Sequence, residues 1–189
     1  KKMAKINIFT DSIVIDSLFH NKLDDEILKE LNIKKQNNQG VIKSNEKGFQ
    51  TDTIDNKIIC DCILQKSVSL IFKHYNVKPN LKYSLNNLWI NENYKHSFNE
   101  PHSHPDSNFS GTYYVEAKKD GGELVFLRND KSGSMTMCEE VSNEFYNLYK
   151  IQPLKNQIIL FPSNLEHMVY PHYEETPRIS ISFNVNVEA

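Results

Sequence analysis

From Arg178 to Val187 the chain alternates without a break: Ile179, Ile181, Phe183, Val185 and Val187 are apolar, while Arg178, Ser180, Ser182, Asn184 and Asn186 are polar. A helix would scatter such a pattern around its circumference, whereas an extended strand gathers it into one apolar and one polar face. A strand of that kind belongs in an antiparallel sheet with a packed layer against the apolar side. Shorter runs with the same character occupy 83–91, 111–117, 123–127, 149–151, 157–161 and 168–170, and Asp120-Gly121-Gly122 supplies a hairpin turn between two of them. The spacing predicts a mainly β fold of about eight strands, a double-stranded β-helix or cupin-like jelly roll.

The front of the chain reads differently. Residues 21–31 suit a helix, with a cap at Asn21, acids Asp24, Asp25 and Glu26 at its positive end, and Leu23, Ile27 and Leu31 on one stripe. Residues 32–56 are polar and Asn-rich, and read as loop with one strand at most. Between 56 and 75, Ile59, Ile63, Leu70 and Ile71 recur at near-helical spacing until Pro79 stops any continuation. The expectation is one domain over 1–189, with a helical support region (1–80) packed outside a β-helix core (81–189).

Composition narrows the setting. With 189 residues, 39% of them hydrophobic, the chain can bury a sizeable core. No apolar run approaches a membrane span, and Lys1-Lys2-Met3 is not followed by a signal-like apolar segment. Three cysteines without a framework point to a reducing, cytoplasmic setting. A net charge of -2 without Lys/Arg clusters argues against nucleic acid as a partner. A homodimer is the assembly entertained.

Chemistry concentrates in four side chains. His104 and Asp106 stand two residues apart, as side chains on one face of a strand must to grip one ion, and His167 follows in an apolar segment that turns into another short strand. Two imidazoles and a carboxylate on one face of a metal, with the other positions open, form the ligand set of non-haem Fe(II) oxygenases. Arg178 comes soon after, one of only two arginines among 22 basic residues, and a guanidinium forks onto a carboxylate with two parallel hydrogen bonds. His102 also falls on the same side of the extended segment, so it rivals Asp106 as the third ligand; a carboxylate suits hard Fe(II) better, which favours His104 with Asp106. His20, His74, His96 and His172 show no partner pattern and read as structural or surface residues. The Cys60/Cys62 pair has no second pair at zinc spacing and reads as part of a helix.

Five segments in order, Trp89-Ile90-Asn91, His102-Ser103-His104-Pro105-Asp106, Ser110-Gly111-Thr112-Tyr113-Tyr114-Val115, Phe161-Pro162-Ser163 leading to His167, and Arg178-Ile179-Ser180-Ile181-Ser182-Phe183-Asn184, make the chain resemble a 2-oxoglutarate- and Fe(II)-dependent oxygenase of a small branch of the prolyl-hydroxylase-like superfamily. That resemblance implies that His104, Asp106 and His167 hold Fe(II), and that Arg178 clamps the distal carboxylate of 2-oxoglutarate. Ser180, Tyr113 or Tyr114, and Asn184 would assist around it, with Trp89, Asn91 and Asn99 nearby. It implies that O2 and 2-oxoglutarate are consumed, giving succinate and CO2, while a substrate such as a protein or amino-acid side chain is hydroxylated. Where the pattern suggests glycine before the strand ending in Phe161, this chain has Asn156, which tolerates a left-handed turn. The segment 128–149 reads either as a lid or as a disordered insertion. Two other readings stand beside this one: a non-redox, cupin-like metal- or ligand-binding jelly roll, and a structural module with a degenerate site.

Overall fold

A computed structural model describes residues 11–78, 80–128 and 148–188. The lysine-rich start, Pro79 and most of the 128–149 segment lie outside the described residues. In chain order the elements are β1 (Val14–Ser17), α1 (Asn21–Gln36), β2 (Asn45–Glu46), β3 (Phe49–Gln50), α2 (Lys57–His74), β4 (Lys82–Asn93), β5 (Phe98–His102), β6 (Phe109–Glu116), β7 (Leu124–Leu127), β8 (Leu148–Ile151), β9 (Gln157–Pro162), β10 (His167–Val169) and β11 (Arg178–Glu188).

The strands form two antiparallel sheets, ordered β1-β9-β6-β11-β4-β3 and β2-β5-β10-β7-β8. This is the double-stranded β-helix that the alternation predicts. β11 lies in the middle of the larger sheet, between β4 and β6, which explains why its pattern is the longest and cleanest. Its apolar face meets the helices: Ile181, Phe183 and Val185 share a core with Leu23, Ile27 and Leu31 of α1 and Ile59, Ile63, Leu70 and Ile71 of α2. Burial of each such side chain contributes about 1.5–3 kcal/mol. A second cluster between the sheets joins Tyr114, Leu124, Phe126, Ile151, Ile159, Phe161 and Leu165.

Both helices start on side-chain caps. Asn56 Oδ1 accepts from the backbone N–H groups of Ile58 and Ile59 at the start of α2. At α1 the cap is His20 rather than the expected Asn21: its Nδ1 accepts from Leu23 N–H at 3.1 Å, and the helix runs on past 31 to Gln36. Asn156 takes φ 65°, the left-handed turn expected of it.

The 32–56 region holds more structure than its composition signals. β2 pairs with β5 in one sheet and β3 pairs with β4 in the other, so the chain crosses between sheets through Lys47 (φ 57°) and Gly48. A Cβ on Gly48 would stand 2.4 Å from Asn45 Oδ1, so the crossing closes tightly over that side chain. β1 adds an edge strand to β9. The described residues before β4 therefore complete both sheets as well as covering one of them.

Candidate active site

The polar face of β11 and the inner face of the smaller sheet enclose a pocket. The side chain of His167, first residue of β10, lies opposite that of His102, last residue of β5, because the two are register partners. Their rings stand 4.4 Å apart, centroid to centroid. His104 follows two residues beyond the strand, anchored by a hydrogen bond from its N–H to Ser163 O, with its ring 5.0 Å from that of His102 and 5.2 Å from that of His167. One ligand atom from each of the three lies within 4.8 Å of the others, an arrangement able to hold a metal ion.

Two of the rings are oriented from behind. His102 Nδ1 lies 2.7 Å from Glu100 O and His167 Nδ1 lies 2.9 Å from Leu165 O. Carbonyls accept only, so these contacts assign the proton to Nδ1 and leave each Nε2 lone pair for a metal. Phe161 and Phe126 crowd His167 at ring distances of 4.8 and 6.1 Å, and Trp89 stands 5.8 Å from His104. Burial, reinforced by His102, pushes His167 down to about 3; burial, reinforced by His102 and Lys43, pushes His104 down to about 4; His102 is lowered by burial too.

That depression has a sign for stability. The unfolded chain takes up protons near the ordinary histidine value, before the folded one does, so metal-free protein loses stability as pH falls below that value. The slope approaches about 1.4 kcal/mol per pH unit for a buried group such as His167. Urea midpoints of the metal-free protein should therefore fall between neutral and mildly acidic pH, and less so in His167→Phe.

Asp106 does not join the cluster. β5 ends at His102, Pro105 opens a turn in which Ser107 N–H donates to His104 O, and Asp106 sits exposed on that turn. Its surroundings are Ser107, Asn108, Asn186, Val187 and Glu188 on the outer rim. The alternation rule applies to His102 and His104 and lapses at the proline.

Arg178 is 2% exposed and lines the pocket. Its Nη1 donates to Gly121 O and Gly122 O, both at 2.8 Å, and Nε has no partner among the described residues. The hairpin turn thereby aims the guanidinium. Gly122 has φ 81°, and a Cβ there would stand 2.4 Å from Tyr170 O and 3.0 Å from Arg178 Nη1, so glycine is required on both counts. Burial lowers the Arg178 pKa, and among the described residues no carboxylate pairs with it.

Of the residues expected beside Arg178, Ser180 and Tyr114 are register partners and both line the pocket. Tyr113 faces the opposite way, since neighbours on a strand alternate: its hydroxyl donates to Asp24 Oδ1 of α1 at 2.7 Å. Asn184 lies on the polar face but is tied up there, accepting from Ser110 Oγ and donating to Asn87 Oδ1, both at 2.6 Å. Trp89, Asn91 and Asn99 line the pocket as expected, joined by Ser44, Asn93 and Thr112, which sequence reasoning missed.

Residues 87–184, just over half the chain, match the family model described as "Putative 2OG-Fe(II) oxygenase". The structure is similar to the viral collagen prolyl hydroxylase vCPH from Paramecium Bursaria Chlorella virus-1, solved as a 2OG complex, at 16% identity over 94% of this chain and 96% of that one, with TM-score 0.60. It is similar to HygX from Streptomyces hygroscopicus, solved with nickel, 2-oxoglutarate and hygromycin B bound, at 11% identity over 94% of this chain and 83% of that one, with TM-score 0.62. An oxidoreductase of the 2OG-Fe(II) oxygenase family from Burkholderia pseudomallei, 16% identical with TM-score 0.47, is matched over 69% of this chain and 51% of that one, so the chain spans about half of its length. At such identities the likeness shows the fold alone. No curated protein sequence matches the chain.

Proposed function

The chain belongs to the 2OG-Fe(II) oxygenase family, and from that premise we propose that it couples turnover of 2-oxoglutarate to hydroxylation of an organic substrate, with the metal on His102, His104 and His167 and the cosubstrate on Arg178. The observation that carries this reading is a buried guanidinium without a carboxylate partner among the described residues, in one pocket with three inward-facing histidines. Burying an unpaired charge is costly, and an anionic ligand is the ordinary remedy.

The donor set fits ferrous iron, for which imidazole is a suitable ligand. When bound, iron and 2-oxoglutarate supply the oxidation of a C–H bond by O2, with succinate and CO2 as co-products. The protein's own residues do the rest. Arg178, with Ser180 and the Tyr114 hydroxyl beside it, holds a carboxylate; the carbonyls of Glu100 and Leu165 keep two ring protons at Nδ1; Phe126, Phe161 and Trp89 shield the histidines from water.

Anaerobic addition of Fe(II) and 2-oxoglutarate should produce a metal-to-ligand charge-transfer band, followed by succinate once O2 is admitted. Without both, the proposal fails. A second reading, a non-redox jelly roll holding zinc, draws on the same three histidines, since His₃ sets also suit Zn²⁺; it predicts tight zinc binding and no succinate. The location we infer is cytoplasmic, on the cysteine usage read above, and among the described residues no helix is long and apolar enough to cross a membrane. A homodimer is the assembly we entertain, and the net charge of -2 without Lys/Arg clusters argues against nucleic acid as a partner.

A further inference from the structure

We propose that the molecule oxidised in this pocket is itself an organic anion, bearing a carboxylate that the pocket recognises in addition to 2-oxoglutarate. The inference rests on the function proposed above and is carried by two separate features of the pocket wall.

The first is charge. Among the described residues, none of those lining the pocket is an aspartate or glutamate. Histidines ligate as neutral imidazoles, and Asp106, the carboxylate expected at the metal, stands outside on a turn. A ferrous ion and Arg178 together bring three positive charges. The cosubstrate dianion offsets two of them, which leaves one without a counter-ion in a pocket screened by aromatic rings. The acids on the neighbouring strands do not repair the deficit. Glu46 sits next to Asn45, which is turned inward, so strand alternation directs it away; Glu100 is exposed, where the register between β5 and β10 shifts; and Glu92 is bound to Lys35 at 2.6 Å. Lys43, exposed and next in sequence to the lining residue Ser44, adds to the imbalance.

The second is hydrogen-bond polarity. Asn93 Nδ2 donates to Asn45 Oδ1 at 3.2 Å, Asn45 Nδ2 to Asn91 Oδ1 at 3.4 Å, and Asn91 Nδ2 to Ser182 Oγ at 3.1 Å. This head-to-tail chain ties β2 to β4 and β11, and it occupies the carbonyl oxygens of Asn45 and Asn91 inside the wall. Asn93 Oδ1 is buried without any partner, out of a ligand's reach. Each carboxamide has a second N–H, and the Ser182 hydroxyl, already accepting, has its hydrogen to give. Along β2, β4 and β11 the wall thus keeps its carboxamide acceptors occupied or buried and has donors to spare, which is the polarity an anion needs; Asn99 on β5, which gives its Nδ2 to Ser44 Oγ at 3.3 Å, is the exception.

A matched pair of probes tests this: N-acetylglycine and N-acetylglycinamide, titrated calorimetrically into protein loaded with Fe(II) and 2-oxoglutarate under argon. The acid should bind roughly tenfold or more tightly than the amide, with a preference that shrinks as salt is raised. Lys43→Glu, on an exposed residue, should cut the preference several-fold while leaving the charge-transfer band unchanged. His102→Asp, where the band shows that it still loads, should cut it by about tenfold, because it places the missing negative charge at the metal. Equal affinity, preference for the amide, or no binding of either probe to protein that displays the band overturns this inference alone. Absence of the band overturns it together with the oxygenase reading.

Discussion

His102→Ala is expected to lower Fe(II) affinity by more than about 100-fold, beyond the 10–100-fold typical of residues that only orient a ligand, whereas Asp106→Ala should leave it within about twofold. The contrast follows from geometry. His102 shares a ligand-distance cluster with His104 and His167, while Asp106 lies exposed past the Pro105 turn. Fluorescence quenching or calorimetry with Fe(II) under argon measures both variants, and Co(II) absorption supplies a second readout of the ligand field. Folding of His102→Ala is not in question, because removing a half-buried ring at a strand end leaves the two core clusters untouched. Iron loss in Asp106→Ala with retention in His102→Ala would falsify the three-histidine assignment. His102→Asp should retain iron better than His102→Ala, since it returns an anionic ligand to the same backbone position.

The misplacement of Asp106 shows where a sequence pattern stops being informative. Period two is a property of extended backbone, and it identifies side chains on one face only as far as the strand continues. The dipeptide Pro105-Asp106 is itself a turn signal, with proline fixing φ at the second turn position, and it outweighs the carboxylate's chemical suitability. β11 was legible because it is central: both flanks are paired, one face meets helices and the other a polar pocket, so every residue registers its side. Tyr113 and Tyr114 were separable by the same logic, as adjacent residues on one strand, once Ser180 is known to pair with Tyr114. Asn45 left no such trace. It backs the pocket wall, bonded to Asn91 and Asn93, because β2 pairs with β5, a contact between distant segments that neither periodicity nor composition encodes.

Arg178→Ala should raise the dissociation constant for 2-oxoglutarate by roughly 10²–10³-fold, in keeping with the 2–5 kcal/mol lost when one partner of a buried charged pair is truncated, while Fe(II) binding changes little. The guanidinium is set apart from the histidines in role: it is aimed by the carbonyls of Gly121 and Gly122, which touch no metal ligand. Linkage gives a measurement independent of turnover. Metal-loaded wild-type protein should gain about 2.7 kcal/mol of stability when 2-oxoglutarate reaches 100 times its dissociation constant, and Arg178→Ala should gain almost none at the same concentration. Arg178→Lys keeps the charge but loses the fork, and a compact ammonium cannot both satisfy the Gly121 and Gly122 carbonyls and reach a carboxylate, so its ligand-induced gain should fall between the two. A variant that binds 2-oxoglutarate as well as wild type but loses iron would reverse the assigned roles, because it would mean that the buried charge supports the metal site rather than receiving the cosubstrate.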